Sequence, residues 1–211
     1  MSLSLEEACR IQSVLSKAVE FRDDFWEPRY VAGADVAYAD DKAVGAAVVV
    51  EYETLKVVEE IVVEGRCDFP YVPTFLAFRE GPTLIKVLDE LKVDPEICLL
   101  DGHGIAHPLR CGLATHVGIL MKKATVGVAK GHLHGEIGKF VGKWAPLKDG
   151  EEVIGAVLRR SPEGKSLFIS VGNLVTLKRA MIIVERCMRD GNPVPLRLAH
   201  IRATREVRCR S

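Results

Sequence analysis

The stretch Leu99-Leu100-Asp101-Gly102-His103-Gly104-Ile105-Ala106-His107-Pro108 sets a carboxylate at the end of an apolar run and follows it with glycines that open the backbone to close approach. Ile97 to Leu100 reads as a short buried strand, and a carboxylate ending such a strand in an open α/β sheet faces the crevice where ligands bind. Asp101 is thereby a candidate metal ligand. A second carboxylate, Asp35, interrupts the small and apolar run Val31-Ala32-Gly33-Ala34-Asp35-Val36-Ala37. Burying it is costly unless it is paired or bound to a cation, so it is either a ligand or a partly exposed strand residue hydrogen-bonded to a turn. Glu80 follows Arg79 in a helical pattern. Three acids from three separate elements that met at one point would offer hard oxygen ligands suited to Mg²⁺ or Mn²⁺ rather than zinc, and such ions support phosphodiester hydrolysis.

Other motifs fit less well. Gly102-His103-Gly104 imitates the start of a dinucleotide-binding loop, but His107 replaces the third glycine and Asp101 would repel a pyrophosphate. His103 and His107 are four apart among Gly and Pro, unlike a helical zinc pair. Neither a Gly-x-Ser-x-Gly elbow nor a Walker loop occurs. Pro70-Tyr71-Val72-Pro73 is a stiff turn whose tyrosine either packs on the surface or offers a rigid stacking face to a base. Lys130 ends the run Thr125 to Ala129 and is either an ordinary exposed lysine or one that reaches a phosphate.

The elements that must position these residues are legible in outline. Ser4 with Glu6 and Glu7 starts a helix whose apolar spacing (Ala8, Ile11, Val14, Leu15, Ala18) carries it to about Phe21. Tyr30 to Tyr38, Ala43 to Tyr52 and Lys56 to Glu64 read as strands of an antiparallel meander turned at Asp40-Asp41-Lys42 and Glu53-Thr54. Thr74 to Lys92 reads as helical with an interruption at Gly81-Pro82. Strand Ile97 to Leu100, helix Arg110 to Lys122 and strand Ala124 to Ala129 make a βαβ unit with parallel pairing. A hairpin joins Val153 to Arg159 with Ser166 to Val171 around Ser161-Pro162-Glu163-Gly164, and helices Thr176 to Met188 and Pro195 to Glu206 close the chain. The pattern predicts an α/β fold, a mixed sheet with helices on both faces, in the strand order typical of ribonuclease H-like folds. No linker or repeat divides residues 1–211, so a single domain is expected.

Composition sets the outer bounds. The 211 residues carry 29 basic and 29 acidic side chains, so net charge gives no hint of a polyanionic partner. Locally, Arg197, Arg202, Arg205, Arg208 and Arg210 face only Glu206, either as a solvated basic helix end or as phosphate contacts. Six cysteines without CxxC spacing read as reduced thiols, and no apolar run approaches the roughly 20 residues of a membrane span. A cytoplasmic chain with no membrane partner is expected.

Six segments, taken in order, carry a family resemblance. They are Gly33-Ala34-Asp35-Val36-Ala37-Tyr38; Pro70-Tyr71-Val72-Pro73 with Phe78-Arg79-Glu80-Gly81-Pro82; Asp101-Gly102-His103-Gly104-Ile105-Ala106-His107-Pro108; Gly127-Val128-Ala129-Lys130; Ser170-Val171-Gly172-Asn173; and Pro195-Leu196-Arg197-Leu198-Ala199-His200. Together they resemble the endonuclease V family, deoxyinosine-directed nucleases with a ribonuclease H-like fold. The resemblance implies that Asp35, Glu80 and Asp101 match the family's acidic cluster, Asp35 and Asp101 as direct metal ligands and Glu80 through water, with His200 at the fourth position. Lys130 matches a lysine near the scissile phosphate, and Tyr71 matches a wedge that holds the strands apart. Gly102, Gly104, Ile105 and His107 match the loop around a flipped hypoxanthine, and Arg79 and Ser170 join the substrate-binding set. A Mg²⁺ cofactor replaceable by Mn²⁺ is implied, as is a monomer acting on DNA containing deoxyinosine. Cleavage would fall at the second phosphodiester 3′ of the lesion, leaving 3′-hydroxyl and 5′-phosphate ends. Relatives also cleave inosine-containing RNA, and a module that binds damaged nucleic acid without cutting would have little need of a costly carboxylate cluster. Two residues depart from the family pattern: Thr74 stands where relatives often carry Gly, and Gly131 where Ser is usual.

Overall fold

The computed structural model describes residues 3–25, 27–39, 42–160 and 165–210; Asp40-Asp41 and Ser161-Pro162-Glu163-Gly164 lie outside the described residues. Helix α1 (Leu5–Leu15) opens on a capping box in which the Ser4 hydroxyl accepts from the Glu7 amide at 3.2 Å and the Glu7 carboxylate accepts from the Ser4 amide at 2.9 Å. A 3₁₀ turn (Ser16–Ala18) ends it short of Phe21. The strands β1 (Tyr30–Ala39), β2 (Lys42–Glu51) and β3 (Val57–Arg66) form the expected antiparallel meander. Then come α2 (Leu76–Asp89), β4 (Ile97–Leu100), α3 (Leu113–Met121) and β5 (Thr125–Ala129). After β6 (Glu136–Ile137), β7 (Trp144–Asp149), β8 (Glu152–Arg159) and β9 (Ser166–Asn173), helix α4 (Leu177–Cys187), the small hairpin β10 (Met188–Arg189) and β11 (Asn192–Pro193), and α5 (Val194–Arg210) complete the chain.

The sheet is mixed, as the pattern predicts, in the order β3-β2-β1-β4-β5-β9-β8-β7-β6, with β4 parallel to both β1 and β5. Along β1 and β4 side chains alternate between its faces. Val31, Ile97, Leu99, Val126 and Val128 pack with Ile183 and Val184 of α4 and with Leu196 and Ala199 of α5. On the opposite face Ala32, Ala34, Cys98 and Leu100 pack with Leu84, Val87 and Leu88 of α2 and with Leu113, Ala114 and Val117 of α3. Helices therefore cover both faces. Among the described residues, no helix is long and apolar enough to cross a membrane, and all six cysteines are free thiols.

Three expectations need correction. Helix α2 runs unbroken through Pro82. The proline removes the amide that would reach the Phe78 carbonyl, at about 3 kcal/mol, but its ring lies on the exposed side. Leu84, Val87 and Leu88, at about 1.5–3 kcal/mol each when buried, outweigh that loss. Helix α3 starts at Leu113 rather than Arg110, because Arg110 sits at φ 53° and Gly112 takes the N-cap position. Strands β6 and β7 extend the sheet beyond the expected hairpin, with Ala145 and Leu147 of β7 buried on either side of Pro146.

Candidate functional site

Strand register and pleat bring the two aspartates together. Ala34 pairs with Leu100 across parallel strands, so the next residue on each chain segment, Asp35 and Asp101, are lateral neighbours. Leu100 in turn pairs with Gly127, which leaves Lys130 just past the end of β5. By the two-residue alternation, Asp35, Asp101 and Lys130 continue the face that carries Val31, Leu99 and Val128, the face covered by α5. Helix α5 can approach there because position 33 lacks a side chain: a Cβ on Gly33 would stand 2.3 Å from the Leu196 amide nitrogen and the Pro195 carbonyl carbon. One helical turn beyond Leu196, His200 places Nδ1 2.6 Å from Asp35 Oδ2.

Asp35, Asp101 and His200 each present one ligand atom, all within 4.8 Å of one another. The two carboxylate oxygens suit a hard divalent cation, while the imidazole, a softer donor, has its Nδ1 engaged with Asp35. The electrostatics point the same way. Asp35 is 7% exposed, and burial followed by the neighbouring Asp101 charge raises its pKa. Glu80 lies outside the three-residue cluster but feels it: burial, then Asp35, then Asp101 push its carboxyl up to about 8. Burial and the nearby Glu80 likewise raise the Tyr38 phenol. A site that holds several acids against their preference for water is short of positive charge. In this structure part of that charge comes from Lys130, whose Nζ lies 2.5 Å from Asp101 Oδ2.

Beside the cluster lies a pocket of about 340 Å³ that shares Asp101 with it and is also lined by Lys130. Tyr71, Gly102, His107, Gly112 and Leu113 contribute to its wall, and Tyr71 is 69% exposed at its rim. The other residues expected to bind substrate do not line it. Gly104 packs so tightly that a Cβ would stand 2.0 Å from the Val171 carbonyl oxygen, and its amide donates to the Ser170 hydroxyl at 2.8 Å, so Ser170 braces the loop from behind. Ile105 belongs to the core. Arg79 donates to the Phe69 carbonyl at 3.0 Å and lies over the Tyr38 ring.

His107 lines the pocket yet is 1% exposed and fully engaged. Its Nδ1 accepts from the Leu109 amide at 3.1 Å, so Nε2 carries the hydrogen and donates to the Thr74 carbonyl at 2.8 Å. Gln12 Nε2 donates to the same carbonyl at 2.8 Å. Thr74 itself has φ 73°, a left-handed conformation that favours glycine. At the second departure from the family pattern, a Cβ on Gly131 would meet nothing within 4 Å, and the Gly131 carbonyl accepts from His103 Nε2 at 3.0 Å. Burial drives the His103 imidazole down to about 4, so it is neutral at ordinary pH.

Sequence reasoning missed His132 and Leu133, which join the pocket wall from the segment after Lys130. That segment has no apolar periodicity to mark it; the His132-Leu133-His134 sequence was its one available signal. Of the C-terminal arginines, Arg202 faces Glu206 at 3.4 Å and Glu60 at 3.8 Å, whereas Arg197 borders the site at a second cavity.

Comparison with known proteins agrees with this architecture. A family model described as Endonuclease V matches residues 13–201. An endonuclease V from Thermofilum pendens is 42% identical over 206 residues, covering 96% of this chain and 89% of that protein. The crystal structure of the endonuclease V from Streptomyces avermitilis superposes with a TM-score of 0.89 at 37% identity, covering 97% of this chain and 93% of the other. The Ciona intestinalis endonuclease V, solved in complex with a 24mer DNA containing an inosine followed by a ribo-adenosine, superposes with a TM-score of 0.87 at 28% identity, covering 98% of this chain and 99% of that one.

Proposed function

This chain belongs to the endonuclease V family, and from that premise we propose that it is a single-domain, Mg²⁺-dependent endonuclease that recognises deoxyinosine in DNA and hydrolyses the second phosphodiester bond 3′ to it. The observation that carries this reading is the convergence of Asp35, Asp101 and His200 next to a pocket of about 340 Å³. The inosine-containing DNA bound by the Ciona relative supports the choice of substrate.

In this reading Asp35 and Asp101 hold the ion, and His200 fixes the orientation of the Asp35 carboxylate through its Nδ1 contact. A bound divalent ion supplies Lewis-acid stabilisation of the charge that develops on the phosphate. Glu80, outside direct reach, orients water at the edge of the cluster. Lys130, about half exposed, leaves Asp101 for a non-bridging phosphate oxygen when the strand arrives, and its charge then favours the transition state. A water oxygen bonds to phosphorus as the P–O3′ bond breaks; the water gives up one proton to solvent and the departing O3′ takes one up from solvent, leaving 3′-hydroxyl and 5′-phosphate ends. Tyr71 fills the gap left in the base stack by the extruded nucleotide. Hypoxanthine lacks guanine's exocyclic amine and carries an oxo group where adenine has an amine, so a close pocket with fixed donors and acceptors separates the three. Its pairs are also weaker or geometrically altered, so extrusion costs less.

The test is a mapped nicking assay on an end-labelled duplex with one deoxyinosine, run beside a matched inosine RNA. The expected result is one Mg²⁺-dependent nick at the second bond 3′ of the lesion, abolished by EDTA. Binding without cleavage in both Mg²⁺ and Mn²⁺ would return the chain to a recognition module, and preferential cleavage of the RNA would move its substrate class.

A further inference from the structure

Lys130 borders two cavities. The base pocket lies on one side; on the other is a cavity of about 240 Å³ walled by the β10–β11 hairpin and the first turns of α5. Its two halves differ in chemistry. Val128, Leu167 and Leu196 give it an apolar floor, while Lys130, Arg197 and His200 bring cationic or hydrogen-bonding nitrogen to its rim, and none of its lining residues is acidic. Arg197 is held without being used: its Nε is buried with no hydrogen-bond partner among the described residues, and its pairing with the exposed Asp190 spans 3.9 Å. That Nε is sealed from solvent, so an incoming anion meets the guanidinium at its outer nitrogens, which the 37% exposed side chain presents and the long contact to Asp190 leaves loosely paired.

An apolar floor below a basic rim matches one nucleotide, whose sugar and base cover the floor while its phosphate meets the rim. A free phosphate would leave the floor bare. We propose that this cavity is a second nucleotide subsite, which holds the nucleotide immediately beyond the cut with its 5′-phosphate among Lys130, Arg197 and His200 and its sugar against Leu196 and Leu167. This rests on the endonuclease reading above and deepens it: the substrate strand runs from the base pocket over Lys130 into the second cavity, and Lys130 lies at the boundary between retained and released product. The nascent 5′-phosphate stays in the subsite after the bond breaks.

The test uses the full chain in EDTA, so that no strand is cut, with fluorescein-labelled single strands that carry one deoxyinosine and end one, two or three nucleotides 3′ of it. Binding is read by anisotropy. Wild type is expected to gain about tenfold in affinity on going from one to two following nucleotides, the increment of one charge-assisted phosphate contact. Arg197→Met loses that step, and its slope of log K against log salt falls by about 0.7, while Arg197→Lys keeps most of both. A step of unchanged size in Arg197→Met, with folding confirmed by an unaltered unfolding midpoint, overturns the subsite. If wild type shows no preference for these strands over matched strands with deoxyadenosine in place of deoxyinosine, the deoxyinosine recognition on which the subsite rests fails. A preference that persists with no Arg197-dependent step sinks only the subsite.

Discussion

His107 Nε2 donates a hydrogen bond to the Thr74 carbonyl across 33 positions of sequence, and so ties the wall of the pocket beside Asp101 to the turn that carries Tyr71. The acceptor residue is strained, since a β-branched side chain at φ 73° sits in a region that costs about 1–2 kcal/mol. The buried donors His107 and Gln12 hold it there.

Thr74→Gly should therefore stabilise the protein by roughly 0.5–1 kcal/mol, the relieved strain less the extra chain entropy of glycine. His107→Ala should destabilise it by about 2–3 kcal/mol, since it strips a partner from the Thr74 carbonyl and from the Leu109 amide. Urea midpoints at constant slope measure both, and a Thr74→Gly midpoint at or below wild type would contradict the strain.

Asp101→Asn should lower nicking at least about 100-fold, by removing a ligand whose ion supplies several kcal/mol to the transition state. The same change should leave the metal-free protein as stable or more so, because it removes the charge that opposes Asp35. Differential scanning with and without Mg²⁺ separates the effects: the Mg²⁺-induced rise in melting temperature seen for wild type should vanish in the variant. A retained rise would show that Asp101 is no ligand.

The metal-free protein should lose stability as pH rises toward 8. Glu80 titrates near 8 in the folded chain against an ordinary 4.5, so the folded state binds the proton more tightly, and stability falls between those values. Asp35 shifts in the same direction. His103 and His116, pushed down to about 4 by burial, act oppositely and add stability as pH rises to 6.5. Above pH 6.5 only the acids contribute in this set. Glu80→Gln in EDTA should accordingly flatten the decline between pH 6.5 and 8 and leave the variant more stable than wild type at pH 8. A slope in Glu80→Gln equal to that of wild type would show that Glu80 does not carry the effect.

Tyr71→Ala should reduce the preference for deoxyinosine over deoxyadenosine about tenfold, the scale of one lost base-stacking contact. The Mg²⁺-induced melting shift should stay unchanged, because Tyr71 stands at the pocket rim rather than among Asp35, Asp101 and His200. Equal losses in both readouts would remove the case for a wedge.

What the sequence disclosed, and what it hid, follows the range over which each feature acts. Asp35 and Asp101 are visible locally, since a carboxylate in or after an apolar strand contradicts its surroundings within a few residues. His200 meets Asp35 across 165 positions, and only the family resemblance joined them. Arg197 stands in the sequence as one of five arginines and inside the last family segment, but neither charge counting nor that motif shows which helix face looks onto a cavity. Pro82 was overvalued as a breaker: its ring faces solvent while the opposite side of the helix is held by buried leucines, a balance set by tertiary packing. Strand β7 escaped notice because Pro146 breaks the alternation of a short segment.

Gly33 works as a ruler. Two residues along a strand advance about 6.6 Å and four along a helix about 6 Å, so once bare backbone at position 33 touches α5 at Leu196, Asp35 and His200 fall opposite each other without further adjustment. The gauge is set by main chain against main chain, which no change of side-chain rotamer can correct. The tolerance of the Asp35–His200 contact is thus decided at a residue with no side chain.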